Sequence, residues 1–313
     1  MTPRIAVLGL GAFGLLHVRG LVRAGVAPVA VADLDHDRVL AGLKVGPGAA
    51  GFEDPIALLE QVPLDGVVVA TPAATHVDLA VAAAARGIRV LLEKPIAVDA
   101  AGLDRLAASA GSELITPGHV LRYEAAHREL RDGVAGGRLG ELRGVSASRD
   151  RERGHLRYGE PDPVLLTQVH DLDLAYWLTG AAPTEIGAAG GRELIFSQGT
   201  AGGVVWSLRA SYLLPEGAPA RDRLEVYGSA GTSRLAVSGR GTTLTWPDGE
   251  QRHWPPSDAP GLDAELAGWL GLVRDGGPVV ITLEEGIAVV RTALAARASA
   301  GAGGTPVSVA ERR

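Results

Sequence analysis

The chain has 313 residues, a formal net charge of -6, 46% hydrophobic residues and no cysteine. Its length suits two globular domains, and its acidic balance argues against a nucleic-acid or anionic-membrane partner. The lack of cysteine excludes disulfides, thiolate nucleophiles and cysteine-based metal sites, and we assign no metal ligands. No apolar run is long enough to span a bilayer and no signal peptide precedes the first strand, so we expect a cytoplasmic protein.

Short apolar runs alternate with helical patterns over residues 4–120. The runs lie near residues 5–8, 28–32, 66–70, 89–92 and 113–116. A helix is predicted over 76–86, with Thr75 as its N-cap and Gly87 at its end. Such alternation is typical of a doubly wound parallel sheet, so we predict a Rossmann domain over residues 1–120.

The first strand leads into a glycine-rich turn, GLGAFG, and then into an amphipathic helix. Gly9 permits a tight turn, Gly11 lets the backbone approach a pyrophosphate, and Gly14 lets the helix pack closely on the sheet. The pyrophosphate would bind the free N–H groups at the helix N-terminus. We therefore assign cofactor contacts to Gly9, Gly11, Ala12, Phe13 and Gly14.

Asp33 ends the second apolar run, nineteen residues after Gly14. A carboxylate at this place accepts hydrogen bonds from ribose hydroxyls and repels a 2′-phosphate, so we expect NAD as the cofactor. Arg38 is close enough in the sequence to keep NADP possible. The alternative is that Asp33 serves only as a turn residue in the corner at 33–35.

The pattern changes after a linking helix near 123–132. Alternating apolar runs then lie at 141–149, 203–213, 223–228, 233–237 and 242–246. An apolar helix at 164–178 interrupts them, and two amphipathic helices follow, the second starting with a Thr282 to Glu285 capping box. We predict an α+β domain over 121–313 with a large, mostly antiparallel open sheet, and the last helix is a candidate to pack back on the first domain. An exposed sheet usually needs covering, so we expect a homodimer or homotetramer.

Residues suited to chemistry follow the strands or lie on the apolar helix: Thr71, Pro72 and His76 after the third strand, Glu93, Lys94 and Pro95 after the fourth, and His170 and Asp173 on the helix. On these residues the chain resembles the glucose-fructose oxidoreductase / inositol dehydrogenase / MocA family of nicotinamide-dependent oxidoreductases. The resemblance covers essentially the whole chain. Its most specific mark is Glu93-Lys94-Pro95, which matches the EKP motif of that family.

The resemblance implies that Lys94 lies beside the nicotinamide and the reacting carbon, and that the Lys94–Pro95 peptide is cis. It implies cofactor contacts by Thr71 and Pro72, and we add His76 and Glu93 to the cofactor-binding set. The later pair Arg122 and Tyr123 matches an Arg-aromatic pair near the substrate mouth of the family.

The residues themselves support a catalytic role for Lys94. A lysine at a strand end, among apolar neighbours and next to a positively charged nicotinamide, loses its proton more easily than in water. It can then bond the substrate hydroxyl as a base or a polarising donor. The alternative is a salt bridge to a nearby carboxylate.

His170 is the second predicted catalytic residue because imidazole titrates near neutrality. Asp173 follows one helical turn later and could orient the ring or touch the substrate. Members of the family commonly carry an aspartate four residues before this histidine, where the chain has Leu166. Either Lys94 and His170 suffice, with Thr167 or Gln168 supplying hydrogen bonds, or the chemistry has changed. A further alternative is that His170 is a core residue without a catalytic role.

The segment at 149–158 is net basic in an acidic protein. A loop of this kind could hold a carboxylate or phosphate of the substrate, with Arg157 and Tyr158 as its contacts. The alternative is a solvated strand end or a subunit contact.

The sequence therefore favours an NAD-dependent dehydrogenase or reductase that acts on a secondary alcohol or ketone of a polyhydroxylated small molecule, such as a sugar, a cyclitol or a sugar derivative. One alternative is a cofactor-binding sensor that has lost turnover, which Leu166 favours. Another is a reductase of an imine or a linear tetrapyrrole on the same fold.

Overall fold

The computed structural model describes residues 2–154, 162–257 and 261–309. The chain separates into two compact units, Met1–Tyr123 with Ala259–Ile287, and Glu124–Asp258 with Ala288–Arg313. The first division falls at residue 123, where the sequence suggests 120. The later segment of the first unit holds a helix that the sequence alone assigns to the second domain.

The first unit contains a parallel sheet and its covering helices. Its elements are β1 (Ile5–Leu8), α1 (Ala12–Arg23), β2 (Ala30–Ala32), α2 (His36–Val45), β3 (Ala50–Phe52), α3 (Pro55–Gln61), β4 (Gly66–Val69), α4 (His76–Ala84), β5 (Arg89–Glu93), α5 (Ala100–Ala108), β6 (Ile115–Gly118) and α8 (Leu262–Asp275). The strand order is β3-β2-β1-β4-β5-β6, and every pair is parallel. This order confirms the predicted doubly wound Rossmann sheet.

The central strands β1 and β4 are buried along their whole length, as expected where helices cover both faces of a parallel sheet. Helix α8 packs on α1, where Gly20 leaves room for Leu266: a Cβ at Gly20 would lie 2.5 Å from the Leu266 Cδ1 atom. Leu266 and Trp269 are buried in the same core as β1. The C-terminal segment therefore completes the core of the first unit.

The second unit contains the other sheet. Its elements are α6 (Ala125–Ala135), β7 (Leu142–Glu152), a π-helical turn (Val164–Gln168), α7 (Val169–Thr179), β8 (Glu185–Gly190), β9 (Leu194–Ala201), β10 (Val204–Leu214), β11 (Arg221–Gly228), β12 (Gly231–Ser238), β13 (Gly241–Thr245), β14 (Gln251–Trp254) and β15 (Val307–Ser308). Helix α9 (Leu283–Gly301) begins in the first unit and ends in the second.

The second sheet has the order β14-β13-β12-β11-β7-β10-β9-β8-β15. In the described part of the chain β7 and β10 pair in parallel and the other neighbours are antiparallel, which confirms the predicted mostly antiparallel sheet. Trp206 and Tyr212 of β10 are buried on one face. Phe196 of β9 and Val205 of β10 are exposed on the other.

Two predicted helix starts have different outcomes. Thr282 and Glu285 form the predicted capping box, each backbone N–H donating to the side chain of the other residue. Thr75 is the N-cap residue of α4, as predicted, but its side chain makes no capping hydrogen bond. Its hydroxyl lies 2.8 Å from both the Pro72 carbonyl oxygen and the Thr71 hydroxyl instead. A 3₁₀ turn at residues 73–75 precedes α4 and directs the hydroxyl back toward the strand end.

No helix in the described residues is long and apolar enough to cross a membrane.

Candidate active site

The glycine-rich turn joins β1 to α1 at the carboxyl edge of the parallel sheet. Gly9 has a φ of +88°, and a Cβ there would lie 2.5 Å from the Ala70 carbonyl oxygen. A Cβ at Gly14 would lie 1.8 Å from the Gly9 carbonyl oxygen, so only glycine allows this approach. At Gly11, in contrast, a Cβ would meet no described atom within 4 Å. The turn is closed toward the sheet and open beside Gly11, which suits a pyrophosphate.

Ala12 and Phe13 begin α1, so their backbone N–H groups belong to the free first turn of the helix. Gly11 is the N-cap residue and has no side chain to bond these groups. Phe13 is exposed, and its ring meets the ring of His17 edge-on at 6.0 Å. The N-terminus of α1 thus has backbone N–H groups without a side-chain cap, at a position where the helix dipole stabilises an anion.

Asp33 follows β2 and is tied to the glycine-rich turn. Its Oδ2 atom accepts a 2.7 Å hydrogen bond from the Leu10 N–H, and its Oδ1 atom accepts one of 3.0 Å from Asp35. Each carboxylate oxygen has two lone pairs, so both retain capacity for a ribose hydroxyl. The Arg38 guanidinium lies 3.9 Å from the Asp33 carboxylate and is half exposed. Asp33 therefore holds the turn in shape, and the predicted ribose contact stays compatible with its geometry.

Thr71 and Pro72 form the turn after β4, and His76 connects it to the turn after β5. The His76 ring lies with Nε2 2.8 Å from the Thr71 carbonyl oxygen and Nδ1 2.9 Å from that of Pro95. Burial lowers the pKa of His76, although the two carbonyls favour the charged ring. A ring with one proton donates to one carbonyl at a time. His76 thus links the two turns, as expected of a residue that positions the cofactor site.

Glu93 ends β5 and Lys94 follows it, and the Lys94–Pro95 peptide is cis, as the resemblance implies. The Lys94 backbone N–H donates to Glu93 Oε2 at 3.2 Å. Glu93 Oε1 lies 2.7 Å from the His17 Nε2 atom, and both side chains are buried. Burial opposes ionisation of Glu93, but the His17 hydrogen bond and the nearby charges outweigh it and lower the pKa of Glu93. Lys94 therefore follows a buried, ionised carboxylate.

Sequence reasoning did not identify His17 or Glu265. Glu265 of α8 is completely buried and joins His17 and Glu93, with ligand-type atoms of the three residues within 4.8 Å of one another. The available signal is an acidic residue on the apolar face of α8, one turn before Trp269 and next to Leu266. Such a residue is costly inside a core and indicates a special environment.

The predicted substrate residues of the first unit are buried. Arg122 is inaccessible to solvent, and its Nη1 atom lies 3.2 Å from the Glu285 carboxylate. Tyr123 is also buried and lies against Gly268, where an added Cβ would be 3.2 Å from its Cε1 atom. A substrate contact by either residue stays a prediction.

In the second unit, Leu166 and His170 are the two residues between 163 and 175 that are not buried. Leu166 lies in the π-helical turn and His170 in the first turn of α7. Turns of the π type are frequent at functional sites. Leu166 and His170 are therefore the accessible residues of this otherwise buried stretch.

Thr167 and Asp173 point into the second unit instead. The Thr167 hydroxyl makes a very short hydrogen bond with the Tyr212 hydroxyl, and both side chains are buried. Asp173 is buried as well. Their predicted substrate contacts are not supported by this placement and stay predictions.

The basic segment at 149–158 is partly described. Arg149 is buried on β7 between two carboxylates, 2.8 Å from Asp171 and 2.8 Å from Asp222. Arg151 also pairs with Asp222, at 2.5 Å. These arginines are occupied by carboxylates of the same unit. Arg157 and Tyr158 lie outside the described residues.

Comparison with known proteins identifies the class and then the family. Residues 3–114 match the family "Oxidoreductase family, NAD-binding Rossmann fold", and residues 127–234 match "GFO/IDH/MocA C-terminal domain". The first unit is thus an NAD-binding Rossmann fold of oxidoreductase type. The chain belongs to the GFO/IDH/MocA oxidoreductase family, which confirms the resemblance.

Several curated relatives and solved structures are similar to this chain. Inositol 2-dehydrogenase 2 of Saccharopolyspora erythraea is 33% identical over 187 residues, which cover 58% of this chain and 55% of the relative. The matched region thus spans about half the length of that relative. Inositol 2-dehydrogenase 4 of the same organism is 26% identical over 99% of this chain and 97% of its own. The structure of myo-inositol dehydrogenase from Lactobacillus casei with NAD(H) and myo-inositol superposes with a TM-score of 0.83, at 23% identity and over 100% of this chain and 98% of that one.

Proposed function

We propose that the protein is an NAD-dependent dehydrogenase that oxidises a secondary alcohol of a cyclitol or sugar. The observation that carries this proposal is the position of Lys94, which follows β5 at the same edge of the sheet as the open glycine-rich turn after β1. Ligands of open parallel sheets bind at the carboxyl ends of the strands. Bound NAD would supply a hydride acceptor at nicotinamide C4.

The residues of the chain would then perform separate tasks. The first turn of α1 binds the pyrophosphate, Asp33 orients the adenosine ribose, and His76 keeps the two turns that surround the nicotinamide in place. Lys94 takes the hydroxyl proton as the hydride leaves the substrate carbon, and we predict that His170 assists it. A cyclitol is favoured as substrate because the relatives include proteins named inositol 2-dehydrogenase.

A steady-state assay tests this proposal. The purified chain is mixed with NAD⁺ and a panel of inositols and sugars, and NADH formation is followed by absorbance. We expect NADH with at least one inositol, including myo-inositol as the first probe. Bound NADH without turnover on any polyol or on the corresponding ketones would favour the sensor alternative, which Leu166 also favours.

We further propose that the chain forms a homodimer or homotetramer through the open face of the second sheet. Val205 and Tyr227 both lie opposite Gly144 in neighbouring strands, which places them on one face. Both side chains are exposed there, and Phe196 extends the apolar surface. Light scattering should give a dimer or tetramer for the unmodified chain and a smaller species for Val205→Glu. A monomeric unmodified chain would exclude this proposal.

A further inference from the structure

Three buried titratable side chains of the first unit meet next to Lys94 but have no part in the proposed proton transfer. His17 on α1, Glu93 on β5 and Glu265 on α8 each contribute a ligand-type atom, and these atoms lie within 4.8 Å of one another. His17 and Glu265 are completely inaccessible to solvent, and Glu93 is nearly so. The charge of each member of this His17–Glu93–Glu265 cluster therefore depends on the other two rather than on water.

Glu93 is the member whose charge is compensated. One carboxylate oxygen is 2.7 Å from the His17 ring, and the other accepts the Lys94 backbone N–H at 3.2 Å. Burial opposes its charge, but the hydrogen bond and charge of His17 prevail, and the charges of Lys94 and His76 act in the same direction, so the pKa of Glu93 is lowered. Glu93 is therefore an ionised carboxylate inside the unit.

Glu265 has the opposite surroundings. Both of its carboxyl oxygens are buried, and neither has a hydrogen-bond partner among the described residues. The titratable groups that face it are Glu93 from β5 and His17 from α1, and the His17 Nε2 atom is already bonded to Glu93. Burial and the Glu93 carboxylate raise the pKa of Glu265 well above its usual value.

Two arginines on the elements packed against α8 are paired with other carboxylates. The 3₁₀ turn at 120–123 carries Arg122, whose guanidinium pairs with Glu285. On the α1 side, Arg23 pairs with Asp263 at 2.6 Å. An ionised Glu265 would thus be a buried carboxylate without a hydrogen-bond donor among the described residues, beside an imidazole that is already bonded to Glu93, which is strongly disfavoured.

A proton explains this cluster better than a metal ion. The 2.7 Å separation between His17 Nε2 and Glu93 Oε1 is a hydrogen-bond distance, so a proton occupies the line between them. A nitrogen that carries a proton has no lone pair for a metal. A second proton, on Glu265, removes the repulsion between the two carboxyl groups.

We propose that Glu265 is a neutral carboxylic acid in the folded protein, so that Glu93 is the single carboxylate of the cluster. Lys94 then stands next to one fixed negative charge rather than two. A second carboxylate would favour the ammonium form of Lys94, which cannot accept the hydroxyl proton. This consequence for Lys94 rests on the proposed function, whereas the protonation of Glu265 does not.

The protonation is tested by stability measured against pH. Glutamine has the size of the neutral acid and cannot ionise, so Glu265→Gln removes one titration and little else. An acid whose folded pKa is raised loses stability as pH rises from its unfolded pKa to its folded pKa. The folding constant of Glu265→Gln relative to the unmodified protein should therefore rise with pH by roughly tenfold per pH unit, starting above the ordinary glutamate pKa of about 4.3 and ending at the raised pKa of the folded protein. Urea unfolding at several pH values measures this ratio.

Glu284→Gln is the matched control, because Glu284 is an exposed glutamate of the same unit. The folding constant of Glu284→Gln relative to the unmodified protein should not change with pH over the same pH range. A flat ratio for Glu265→Gln as well would mean that Glu265 is ionised in the folded chain and would overturn the proposal. In a Glu93→Gln background, the rise in folding constant caused by Glu265→Gln should end at a lower pH. The Glu93 charge, which raises the pKa of Glu265, is then absent.

An infrared spectrum of the unmodified protein provides evidence that needs no variant. At about pH 8 the carboxyl groups with ordinary pKa values are ionised. The C=O stretch of a protonated carboxylic acid should persist there, and it should disappear in Glu265→Gln. Absence of this band in the unmodified protein would contradict the proposal. So would a stoichiometric divalent ion, found by mass spectrometry of the purified protein and lost in Glu265→Gln.

Discussion

The two units each bury a cluster of charged side chains, and the clusters differ in how their charges are balanced. In the second unit, Arg149 and Arg151 face Asp171 and Asp222, so two cations meet two carboxylates. In the first unit, two carboxyl groups lie near one imidazole, which is bonded to Glu93 alone. The balanced cluster of the second unit has a cation paired with each carboxylate, whereas the unbalanced cluster of the first unit has a carboxyl group without a bonded cation and lies next to Lys94.

The difference in charge balance between the two clusters indicates that the cluster of the second unit serves stability and that of the first unit serves function. Burial raises the pKa of Asp171 to about 6 despite Arg149, while the two arginines outweigh burial at Asp222 and lower its pKa. Burial thus dominates at Asp171 and the two arginines dominate at Asp222, and all four side chains belong to the second unit. A buried acid without a cation, such as Glu265, is the less stable arrangement and is more typical of a functional site.

The largest expected effect concerns Lys94. Lys94→Met should lower the rate of the dehydrogenase reaction by about a hundredfold to ten-thousandfold, because it removes a positioned proton-transfer group. NADH binding should change little, since the amine is assigned to the substrate hydroxyl and not to the phosphates. Steady-state kinetics and fluorescence titration measure the two quantities. Lys44→Met is the control, because Lys44 is the other lysine of the chain and is exposed on α2.

Substitutions in the balanced cluster should lower the free energy of unfolding and leave the rate of the dehydrogenase reaction unchanged in the protein that stays folded. Arg149→Met leaves Asp171 and part of Asp222 without a cation in a buried site, so we expect a loss of about 3–5 kcal/mol in the free energy of unfolding. Arg143→Met, on the same strand, removes an exposed pair with Glu141 and should cost less than about 1 kcal/mol. Urea unfolding measures both. Equal effects of the two substitutions would show that burial of the cluster is unimportant.

His170 allows a functional role and a structural role to be compared within the second unit, because it is accessible and adjacent to the buried Asp171. His170→Asn should lower the rate and flatten the limb of the pH profile near neutrality, where an imidazole titrates. Leu166→Ala should act mainly through packing, and His253→Asn, an exposed histidine of the same unit, should do neither. Unchanged rate and pH profile in His170→Asn would make this histidine structural.

The smallest expected effect concerns cofactor choice. NADH should bind several-fold more tightly than NADPH, because the Asp33 carboxylate repels a 2′-phosphate. Asp33→Ser should narrow this difference, and Asp37→Ser, an exposed aspartate on α2, should not. Fluorescence titration with both cofactors measures it. Tighter NADPH binding by the unmodified protein would indicate that Arg38, 3.9 Å from Asp33, determines the choice.

The sequence predicts the parts of the fold that rest on strong local signals. The apolar strands β1, β4 and β5, the turn at Gly9 and the capping box at Thr282 all depend on neighbours in the chain. Strands β8 and β9 escape prediction because their glycine, alanine, serine and threonine residues give weak alternation. Packing across the sheet, rather than local pattern, determines these strands.

The residues of the candidate site likewise include some that the sequence predicts and some that it does not. The glycine-rich turn and Glu93-Lys94-Pro95 are recognisable because the chemistry lies in consecutive residues. His17 and Glu265 are 248 positions apart in the numbering and meet only because α8 returns to the first unit. The burial of Thr167 against Tyr212 likewise depends on the sheet, and no local pattern contains it.

Deuterium transfer from the substrate to the cofactor would show whether Lys94 serves hydride transfer from a polyhydroxylated alcohol to NAD. Myo-inositol deuterated on its ring carbons is incubated with NAD⁺ and the purified protein, and the NADH formed is analysed by NMR. We predict deuterium at nicotinamide C4 with the unmodified protein and with Lys44→Met, and almost none in the same time with Lys94→Met. NADH without deuterium, or equal transfer by Lys94→Met, would contradict the account.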